Sequence, residues 1–363
     1  MDRALKIWLS ELNIRSEDND IRNSLKLPHT IYGYMLLLSQ KAFQSKMWRN
    51  VLADSDPSAL QQLYPLLAHH LKVTHIAITN PIPLTSANDN EGGNIIRSPS
   101  NFKPLYGDFG PATANSPPTQ TDFDAAFWVT AKQNGIYQTW APHWTMFSRG
   151  NISEKARILG MKSVAQAVLD EMGEGVGCAA VDLYAGIGYF AFSYLAAGVR
   201  TVVCWDLNAW SCEGLRRGAG ANRWEAVALE EHGQVESLTE SEARLIMFNE
   251  SNERASERVT RMRKALPPIR HVNCGLLPTS RGSWQTAMEV LDPAMGGWVH
   301  VHENLAVKDI DTKAEEVRQA FQQMLTGRRE GDVELEFVNR LKSYAPGVMH
   351  CVLDLYIPPR TPS

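Results

Sequence analysis

A short glycine-rich run follows an apolar stretch near the middle of the chain, at residues 181–190. Asp182 ends the apolar stretch, and Gly186 and Gly188 follow at a spacing typical of a tight turn between a strand and a helix. Glycines are needed in such a turn because the backbone takes positive φ values and must let a ligand approach it. The amide groups at the start of the following helix would point at that ligand. The run therefore predicts a ligand-binding loop.

A second acidic residue, Asp206, lies 18 positions after Gly188, at the end of the next apolar run. An acid at this distance accepts hydrogen bonds from ribose hydroxyls. The two features predict a domain that binds an adenosine-containing cofactor. Asp182 favours S-adenosylmethionine over NAD, because dinucleotide sites usually run straight from the strand into the first glycine. The position of the loop far from the start of the chain favours it too. NAD and a glycine turn without a ligand remain the alternatives.

Other polar residues follow the predicted strands. Asn249, Glu250 and Ser251 come after the third strand of the glycine-loop domain, where an acid or an amide reads the adenine amino group. His300 and His302 alternate on one strand, but no third ligand stands at a suitable spacing. We therefore predict no metal site.

Three arginines, Arg254, Arg258 and Arg261, fall at i, i+4 and i+7 and share one face of a predicted helix. Such a stripe could contact the phosphates of a nucleic acid. A solvated helix face with nearby glutamates explains the pattern equally well, and the sequence leaves both explanations open.

The composition is that of a globular protein without a strong charge bias. The 363 residues favour two domains, and the net charge of −4 means that a nucleic-acid partner would need a local basic patch. Apolar runs are shorter than the ~20 residues of a membrane span, and the start lacks the apolar stretch of a signal peptide. The five cysteines are scattered without a C-x-x-C pair. We therefore expect reduced thiols, no membrane association and a cytoplasmic location.

Residues 1–132 are predicted to form a smaller N-terminal α+β domain. Residues 31–38 are predicted to be a strand and residues 57–71 a helix. Residues 83–125 are rich in Pro, Ser, Asn, Gly and Thr, which predicts a flexible loop, with an ordered island at 102–108.

Residues 133–363 alternate between strand and helix patterns, which predicts a parallel sheet covered by helices. Residues 154–172 are predicted to be one helix that precedes the first strand of this sheet. Residues 333–343 and 348–357 predict a closing hairpin. The fold class is thus α/β, with a Rossmann-like sheet and a C-terminal hairpin.

Six segments follow one another between residues 146 and 346. They are M-F-S-R-G-N-I-S-E-K at 146–155, D-L-Y-A-G-I-G-Y-F at 182–190, D-L-N at 206–208, G-L-L-P-T-S at 275–280, V-H-E-N at 301–304 and K-S-Y-A-P at 342–346. Their order and content resemble those of the tRNA wybutosine-synthesizing protein 2 family. Residues 31–33 and 43–48 resemble it more loosely.

The resemblance implies a class I methyltransferase-like fold and a specific group transfer. Such enzymes move the 3-amino-3-carboxypropyl group of S-adenosylmethionine onto 4-demethylwyosine, the tricyclic base 3′ of the anticodon in tRNA(Phe), and release methylthioadenosine. We further expect a monomer whose N-terminal domain interacts with tRNA. A tRNA (guanine-N1)-type methyltransferase is the alternative activity, and a catalytically silent binding module is a third possibility.

The resemblance also assigns roles to residues. The candidates for cofactor binding are Ser148, Lys155, Asp182, Gly186, Gly188, Asp206, Asn249, Glu250 and Ser251. The candidates for tRNA binding are Arg149, Arg157, Arg254, Arg258, Arg261 and Lys342. A helix cap is the alternative role for Ser148, and a surface position is the alternative for Lys155.

The turn at residues 275–280 has no acid and no asparagine, so no general base is assigned. Pro278, Thr279 and Ser280 are expected to shape the base pocket. The sequence departs from the family at Asp206, where the family usually has glutamate, and at Leu207, which replaces a tryptophan. Residues 225–270 are longer than the family pattern.

Overall fold

The structure is a computed structural model that describes residues 1–14, 25–79, 99, 102–147, 149–172, 177–229, 243–325 and 331–360. The chain divides into two compact units, Met1–Ala131 with Thr139–Phe147, and Lys132–Gln138 with Ser148–Ser363. Ser148 itself and residues 230–242 lie outside the described residues. Within the described parts of the chain, we find no helix that is both long and apolar enough to cross a membrane.

The first unit is built on a four-stranded sheet. Its helices are α1 (Asp2–Glu11), α2 (Lys46–Ala53), α3 (Ala59–Leu71) and α4 (Gln120–Ala125), and its sheet strands are β1 (His29–Tyr32), β2 (Met35–Ser39), β3 (His75–Thr79) and β4 (Phe102–Tyr106). The strands lie in the order β1-β2-β3-β4, and only β2 and β3 are parallel. Trp8 and Trp48 are fully buried in its core, with ring centroids 5.5 Å apart. The two indoles bring α1 and α2 together, because each buries a large apolar area.

Two predictions for this unit are wrong in detail. Residues 31–38 form a hairpin rather than one strand, because Gly33 takes a φ of 50° and turns the chain between β1 and β2. The island at 102–108 is confirmed as β4, but the loop predicted around it also contains α4. That helix begins with a capping box in which Thr119 and Asp122 bond each other's backbone amides. The composition of the segment concealed this local pattern.

Strands β5 (Val129–Gln133) and β6 (Ile136–Trp140) form a separate two-stranded sheet. The second unit continues with helices α5 (Ile152–Leu159), α6 (Lys162–Met172), α7 (Ala191–Ala196), α8 (Ala209–Ala221), α9 (Ala255–Met262), α10 (Trp284–Val290) and α11 (Ile310–Met324). Its strands are β7 (Ala179–Asp182), β8 (Thr201–Trp205), β9 (Ala226–Ala228), β10 (Leu245–Phe248), β11 (Ile269–Cys274), β12 (Gly297–Ala306), β13 (Glu334–Ala345) and β14 (Val348–Ile357).

The eight strands β7–β14 form one sheet in the order β13-β14-β12-β11-β7-β8-β10-β9. Strands β7 to β12 pair in parallel, whereas β14 runs antiparallel to both β12 and β13. The predicted Rossmann-like sheet and its closing hairpin are therefore confirmed. The helix predicted at 154–172 is instead two helices, because α5 ends at Leu159 with Gly160 as its C-cap, and α6 starts at Lys162.

Both faces of this sheet are buried, as parallel sheets require. One core holds residues such as Val181, Trp205 and Phe321, and the other holds Phe192, Tyr194 and Leu215. The carboxyl ends of the parallel strands therefore meet at one edge of the sheet, where ligands bind in folds of this type.

Candidate functional site

The glycine loop between β7 and α7 has the conformation that the sequence predicts. Gly186 has a φ of 55° and Gly188 a φ of 87°. A Cβ atom on Gly186 would lie 2.8 Å from the ring of Tyr189, and one on Gly188 would lie 2.7 Å from Leu215 and 2.8 Å from Phe192. Only glycine therefore fits these two positions, and the loop exposes its backbone at the carboxyl edge of the sheet.

Asp182 is fully buried and holds the loop in place. Its Oδ1 accepts a hydrogen bond from Nδ2 of Asn273 at 3.0 Å and one from the amide of Tyr184 at 3.3 Å. Burial raises the pKa of Asp182 to about 6, despite these hydrogen bonds. Because its side chain is enclosed, Asp182 can act on a ligand only by positioning the loop.

Asp206 connects the glycine loop to the end of β8. Its two carboxylate oxygens accept hydrogen bonds from the amides of Gly186 and Asn208, each at 2.8 Å. Burial raises the pKa of Asp206 to about 6 as well. A carboxylate has about four acceptor positions, so two backbone bonds leave capacity for ribose hydroxyls. The neighbouring Leu207 is 54% exposed.

Asn249 and Ser251 lie at the end of β10. The Nδ2 of Asn249 donates to the carbonyl oxygen of Asp206 at 2.9 Å. The hydroxyl of Ser251 accepts from the amide of Glu253 at 3.3 Å and caps a short helical turn. Asn249 therefore stands beside Asp206 at the loop, whereas Ser251 serves the local backbone.

Glu250 is engaged by the arginine stripe that the sequence predicts. Arg258 is buried and donates to both oxygens of Glu250, at 2.9 and 2.8 Å, and Arg254 approaches to 3.2 Å. Burial disfavours the charged carboxylate, but the hydrogen bonds and charge of Arg258 outweigh burial and lower the pKa of Glu250. Arg261 is 59% exposed and pairs with Glu257 at 2.6 Å. Arg258 is thus engaged by Glu250 in this structure, and its role in tRNA binding stays a prediction.

Lys155 is buried rather than on the surface. Its Nζ donates to Oε1 of Gln133 at 3.0 Å and to Oε1 of Gln138 at 2.6 Å. Gln138 in turn donates to the carbonyl oxygen of Gly188 at 3.1 Å. Burial, assisted by the charge of Lys342, lowers the pKa of Lys155 to about 7. The lysine is therefore coupled to the glycine loop through one amide side chain.

The segment before α5 also approaches the hairpin. Arg149 begins a short helical turn at Arg149–Asn151, and the Nζ of Lys342 donates to Oδ1 of Asn151 at 3.0 Å. Burial lowers the pKa of Lys342. The structure thus brings Lys342 to the turn that contains Arg149.

Arg157 has carboxylate partners on two sides. Its guanidinium donates to Glu154 at 2.6 and 2.9 Å and to Asp354 at 2.5 and 3.1 Å. The Nδ2 of Asn339 also donates to Glu154. This arginine therefore ties α5 to β13 and β14, and its predicted role as a tRNA contact is not supported by its position.

A histidine pair in the sheet continues this network. Nδ1 of His271 lies 3.0 Å from Nε2 of His300, and Nδ1 of His300 lies 2.7 Å from Oδ1 of Asp354. Nε2 of His271 lies 3.3 Å from the carbonyl oxygen of Ser163. Every nitrogen of His271 and His300 thus has a partner, and we call these two residues the closed pair.

A second histidine pair, which we call the open pair, lies further along β12 and β14. Nδ1 of His302 lies 3.0 Å from Nε2 of His350, and both side chains are buried. Burial lowers the pKa of each imidazole to about 3, so both are neutral at pH 7. Among the described residues, no group of three or more His, Cys, Asp and Glu side chains is placed to hold a metal ion.

The turn at 275–280 is fixed by the strand that carries these histidines. Oε1 of Glu303 accepts from the hydroxyl of Thr279 at 2.8 Å and from the amide of Ser280 at 3.0 Å. The amide of Asn304 donates to the carbonyl oxygen of Pro278 at 2.9 Å. The three predicted pocket residues therefore lie against β12.

Sequence reasoning assigned no role to Gln133, Gln138, Asn304 or His350. The V-H-E-N segment pointed to β12, but its partners are distant in the chain. Gln138 has no motif that marks it, since its role comes from contacts with Lys155 and Gly188.

No protein-family model matches the chain, but comparison with known proteins finds similar relatives. tRNA wybutosine-synthesizing protein 2 of Schizosaccharomyces pombe is 40% identical over 328 residues, which cover 90% of this chain and 71% of the relative. The protein of the same name from Saccharomyces cerevisiae is 32% identical over 393 residues, covering 96% of this chain and 76% of the relative.

Among solved structures, P. horikoshii TYW2 in complex with MeSAdo is similar to this chain. The TM-score is 0.59 at 16% sequence identity, and 98% of each chain is covered. At this identity the likeness concerns the fold alone.

Proposed function

The chain belongs to the tRNA wybutosine-synthesizing protein 2 family, and from that premise we propose that it transfers the 3-amino-3-carboxypropyl group of S-adenosylmethionine to 4-demethylwyosine in tRNA(Phe). The modified base lies 3′ of the anticodon, and methylthioadenosine is released. The protein is thus an S-adenosylmethionine-dependent transferase of wybutosine biosynthesis.

The geometry of the glycine loop is the observation that carries this proposal. Gly186 and Gly188 admit a ligand to the backbone, and Asp206 stands where it can bind ribose hydroxyls. Asn249 lies beside Asp206, and Lys155 connects to the loop through Gln138. These residues fit an adenosine and an amino-acid tail.

The residues of the chain contribute to the transfer by positioning the donor and the acceptor. S-adenosylmethionine, when bound, supplies a sulfonium whose γ-carbon accepts a nucleophile. The loop and Asp206 fix the adenosine, and Lys155 can pair with the carboxylate of the amino-acid tail. Holding two reactants in line is the largest contribution available to such a displacement.

The proposal extends to the acceptor, the tRNA. Residues 1–132 are proposed to grip the tRNA, and residues 133–363 to hold the donor and the reacting base. Arg149, Lys342 and Arg261 are the proposed phosphate contacts. We further propose that the protein works as a monomer in the cytoplasm.

Mass analysis of both products tests the proposal. Purified protein, S-adenosylmethionine and tRNA(Phe) bearing 4-demethylwyosine should give methylthioadenosine and a tRNA nucleoside heavier by one aminocarboxypropyl group. Gly188→Val should abolish donor binding, because the new side chain would collide with Leu215 and Phe192 and would need a positive φ. Gly220→Ala, where a Cβ meets nothing within 4 Å, is the matched control.

Two outcomes would contradict the proposal. Release of S-adenosylhomocysteine with a methylated base would establish the tRNA (guanine-N1)-type methyltransferase instead. A protein with no shift in melting temperature on adding S-adenosylmethionine would be a silent binding module.

A further inference from the structure

The first unit contains a pocket that is lined by residues of β1, β2 and β4, by residues that flank these strands and by residues 140–147. Its volume is about 550 Å³, within the range of about 300–1,000 Å³ that is usual for small-molecule sites. All of its described lining residues belong to the first unit, whereas the glycine loop and the 275–280 turn belong to the second. The pocket, which we call the aromatic pocket, therefore has no residue in common with the proposed donor site.

Four phenylalanine, tyrosine and tryptophan rings line the aromatic pocket. The rings of Trp140 and Phe147 are stacked, with centroids 4.5 Å apart and planes 13° apart. The ring of Tyr32 meets both of them edge-on, at 5.2 and 5.3 Å. Tyr32 and Trp140 are buried, whereas Phe102 and Phe147 are only partly buried. The first two residues therefore form the floor of the pocket, and the rings of Phe102 and Phe147 can contact a ligand.

The aromatic pocket also has exposed polar residues, which include His29, Gln40 and Lys41. The hydroxyl of Ser39, another lining residue, accepts a hydrogen bond from the amide of Lys41 at 3.3 Å and so holds the turn that carries the lysine. Among the described residues that line the pocket, Lys41 is the only Lys or Arg, and there is no Asp or Glu. A pocket with one lysine and no carboxylate favours a ligand that carries negative charge.

A nucleotide with an unstacked base has the chemistry that these residues accept. Its base has two flat faces for aromatic rings, and the edges of the base have hydrogen-bond donors and acceptors for a side chain such as Gln40. Its phosphate matches the charge of Lys41. Proteins that bind single-stranded RNA stack unpaired bases on aromatic side chains in this way. A double helix is too wide for a pocket of this volume, so the occupant would be a single base.

We propose that the aromatic pocket holds one unstacked base of the tRNA, with Phe102 and Phe147 as its stacking surfaces and Lys41 at its phosphate. This inference rests on the proposed function, in which tRNA is the acceptor. The base is one that is not modified, because the reacting base must meet the donor, and no described residue of the glycine loop or of the 275–280 turn lines the pocket. The affinity for tRNA then depends on ring faces as well as on phosphate contacts.

Binding of tRNA in the absence of S-adenosylmethionine tests the stacking contacts. The affinity for fluorescently labelled tRNA(Phe) bearing 4-demethylwyosine would be measured by anisotropy. Phe102→Leu and Phe147→Leu should each lower this affinity about 5- to 150-fold, which corresponds to the loss of one base–aromatic contact. Phe147→Tyr should bind almost as tightly as wild-type protein, because it keeps a flat ring. Leucine variants that both bind tRNA with wild-type affinity would overturn the proposal.

Phe109→Leu is the matched control for the leucine variants. The ring of Phe109 is buried and lies 5.2 Å from the ring of Phe102, but Phe109 does not line the pocket. This variant should lower the melting temperature and leave the affinity for tRNA unchanged. A loss of affinity equal to that of Phe102→Leu would show that packing rather than stacking on a base explains the effect, and the proposal would be wrong.

The salt dependence of tRNA binding tests the phosphate contact. Lys41→Ala should lower the slope of log affinity against log salt concentration by about 1, because one phosphate contact is lost. Lys6→Ala is the control, since Lys6 is exposed and does not line the pocket. Equal slopes for the two variants would overturn the assignment of a phosphate to Lys41.

The outcomes keep this inference distinct from the proposed function. If wild-type protein makes no aminocarboxypropyl product, the proposed function itself fails. If it makes this product but the leucine variants bind tRNA like wild-type protein, only the assignment of the pocket fails, and a different ligand, such as an apolar peptide side chain, would have to be sought for it.

Ultraviolet crosslinking of the wild-type protein to the same tRNA decides the question if the variants do not fold. After digestion with nuclease and trypsin, mass spectrometry should find a nucleotide adduct on Phe102 or within residues 133–149, the tryptic peptide that contains Trp140 and Phe147. The absence of an adduct on the pocket residues would overturn the proposal, and so would an adduct there with 4-demethylwyosine itself.

Discussion

The closed pair and the open pair meet on β12, where His300 and His302 stand two residues apart, and the two pairs differ in what surrounds them. His271 and His300 form one hydrogen bond with each other and one with each outer partner, the carbonyl of Ser163 and the carboxylate of Asp354. His302 and His350 form only the bond between them.

The two pairs differ in how far their hydrogen bonds extend through the second unit. The closed pair leads through Asp354 to Arg157 and Glu154, so it joins β11, β12, β14 and α5. The open pair has no further hydrogen-bond partner among the described residues. A buried polar network that is fully paired makes a fold rigid, whereas an unpaired buried polar group costs free energy.

The hydrogen bonds that link the closed pair through Asp354 to Arg157 form a network, which we call the closed network. Breaking this network should have the largest effect on stability. Asp354→Ala would leave Arg157 and the closed pair without their shared carboxylate, whose pKa falls to about 2 because the charges of His300 and Arg157 outweigh its burial. Removing one partner of a buried ion pair costs about 3–5 kcal/mol. Denaturant unfolding measures this loss, with Asp311→Ala as the control, since that side chain is 89% exposed. A loss as small as that of the control would mean that the closed pair does not support the sheet.

Removing Asp206 should weaken donor binding strongly while leaving the closed network intact. Asp206→Ala removes the acceptor proposed for two ribose hydroxyls and frees the amides of Gly186 and Asn208. A hydrogen bond to a charged group is worth about 1.5–3 kcal/mol, so affinity should fall at least tenfold. Calorimetry with S-adenosylmethionine measures the change. An unchanged dissociation constant would place the ribose elsewhere.

The affinity for the donor should depend on pH through the protonation of Lys155. Lys155 has a pKa lowered to about 7, so it is an ammonium below that pH and neutral above it. If the ammonium pairs with the donor's carboxylate, affinity should fall toward tenfold per pH unit as the pH rises above 7. Lys155→Met should flatten the calorimetric pH profile, and Lys162→Met, at an exposed position, should not. A wild-type profile in the Lys155 variant would remove this lysine from the site.

The smallest effect is expected at the arginine stripe. Arg261→Ala should lower the salt dependence of tRNA binding by a slope of about 1 if the side chain contacts one phosphate. Arg261 is exposed and its pair with Glu257 is a surface pair, which contributes little to stability. Lys313→Ala, another exposed cation paired with a glutamate, is the control. Equal salt slopes for the two variants would leave the stripe without a role in tRNA binding.

The glycine loop, Asp206 and the sheet could be predicted because their patterns are local. Two glycines, an acid and alternating apolar runs each lie within a few residues of one another. Arg157 and Asp354 are 197 positions apart, and His271 and Ser163 are 108 apart, so no periodicity connects them. The burial of Lys155 could not be predicted either, because Lys155 bonds Gln133 and Gln138, which lie on β5 and β6.

The same limit applies to the charged residues. A stripe at i, i+4 and i+7 shows that three arginines share a helix face, but it does not show what that face meets. Arg258 donates to Glu250, eight residues earlier. Arg258 had been predicted to bind tRNA, and Glu250 had been predicted to bind the cofactor. Ser148 lies outside the described residues, so its predicted role stays a prediction.

Asp206 has a consequence for the kinetics of binding. It bonds the amides of Gly186 and Asn208, so contacts within the protein fix the backbone of the glycine loop and of the segment that follows β8. Fixing the backbone of one residue costs about 1–2 kcal/mol in conformational entropy. For these residues the entropy is lost when the protein folds and not when the donor binds. A donor molecule that arrives at the loop therefore finds it already shaped, and its association rate should be limited by encounter rather than by ordering of the loop.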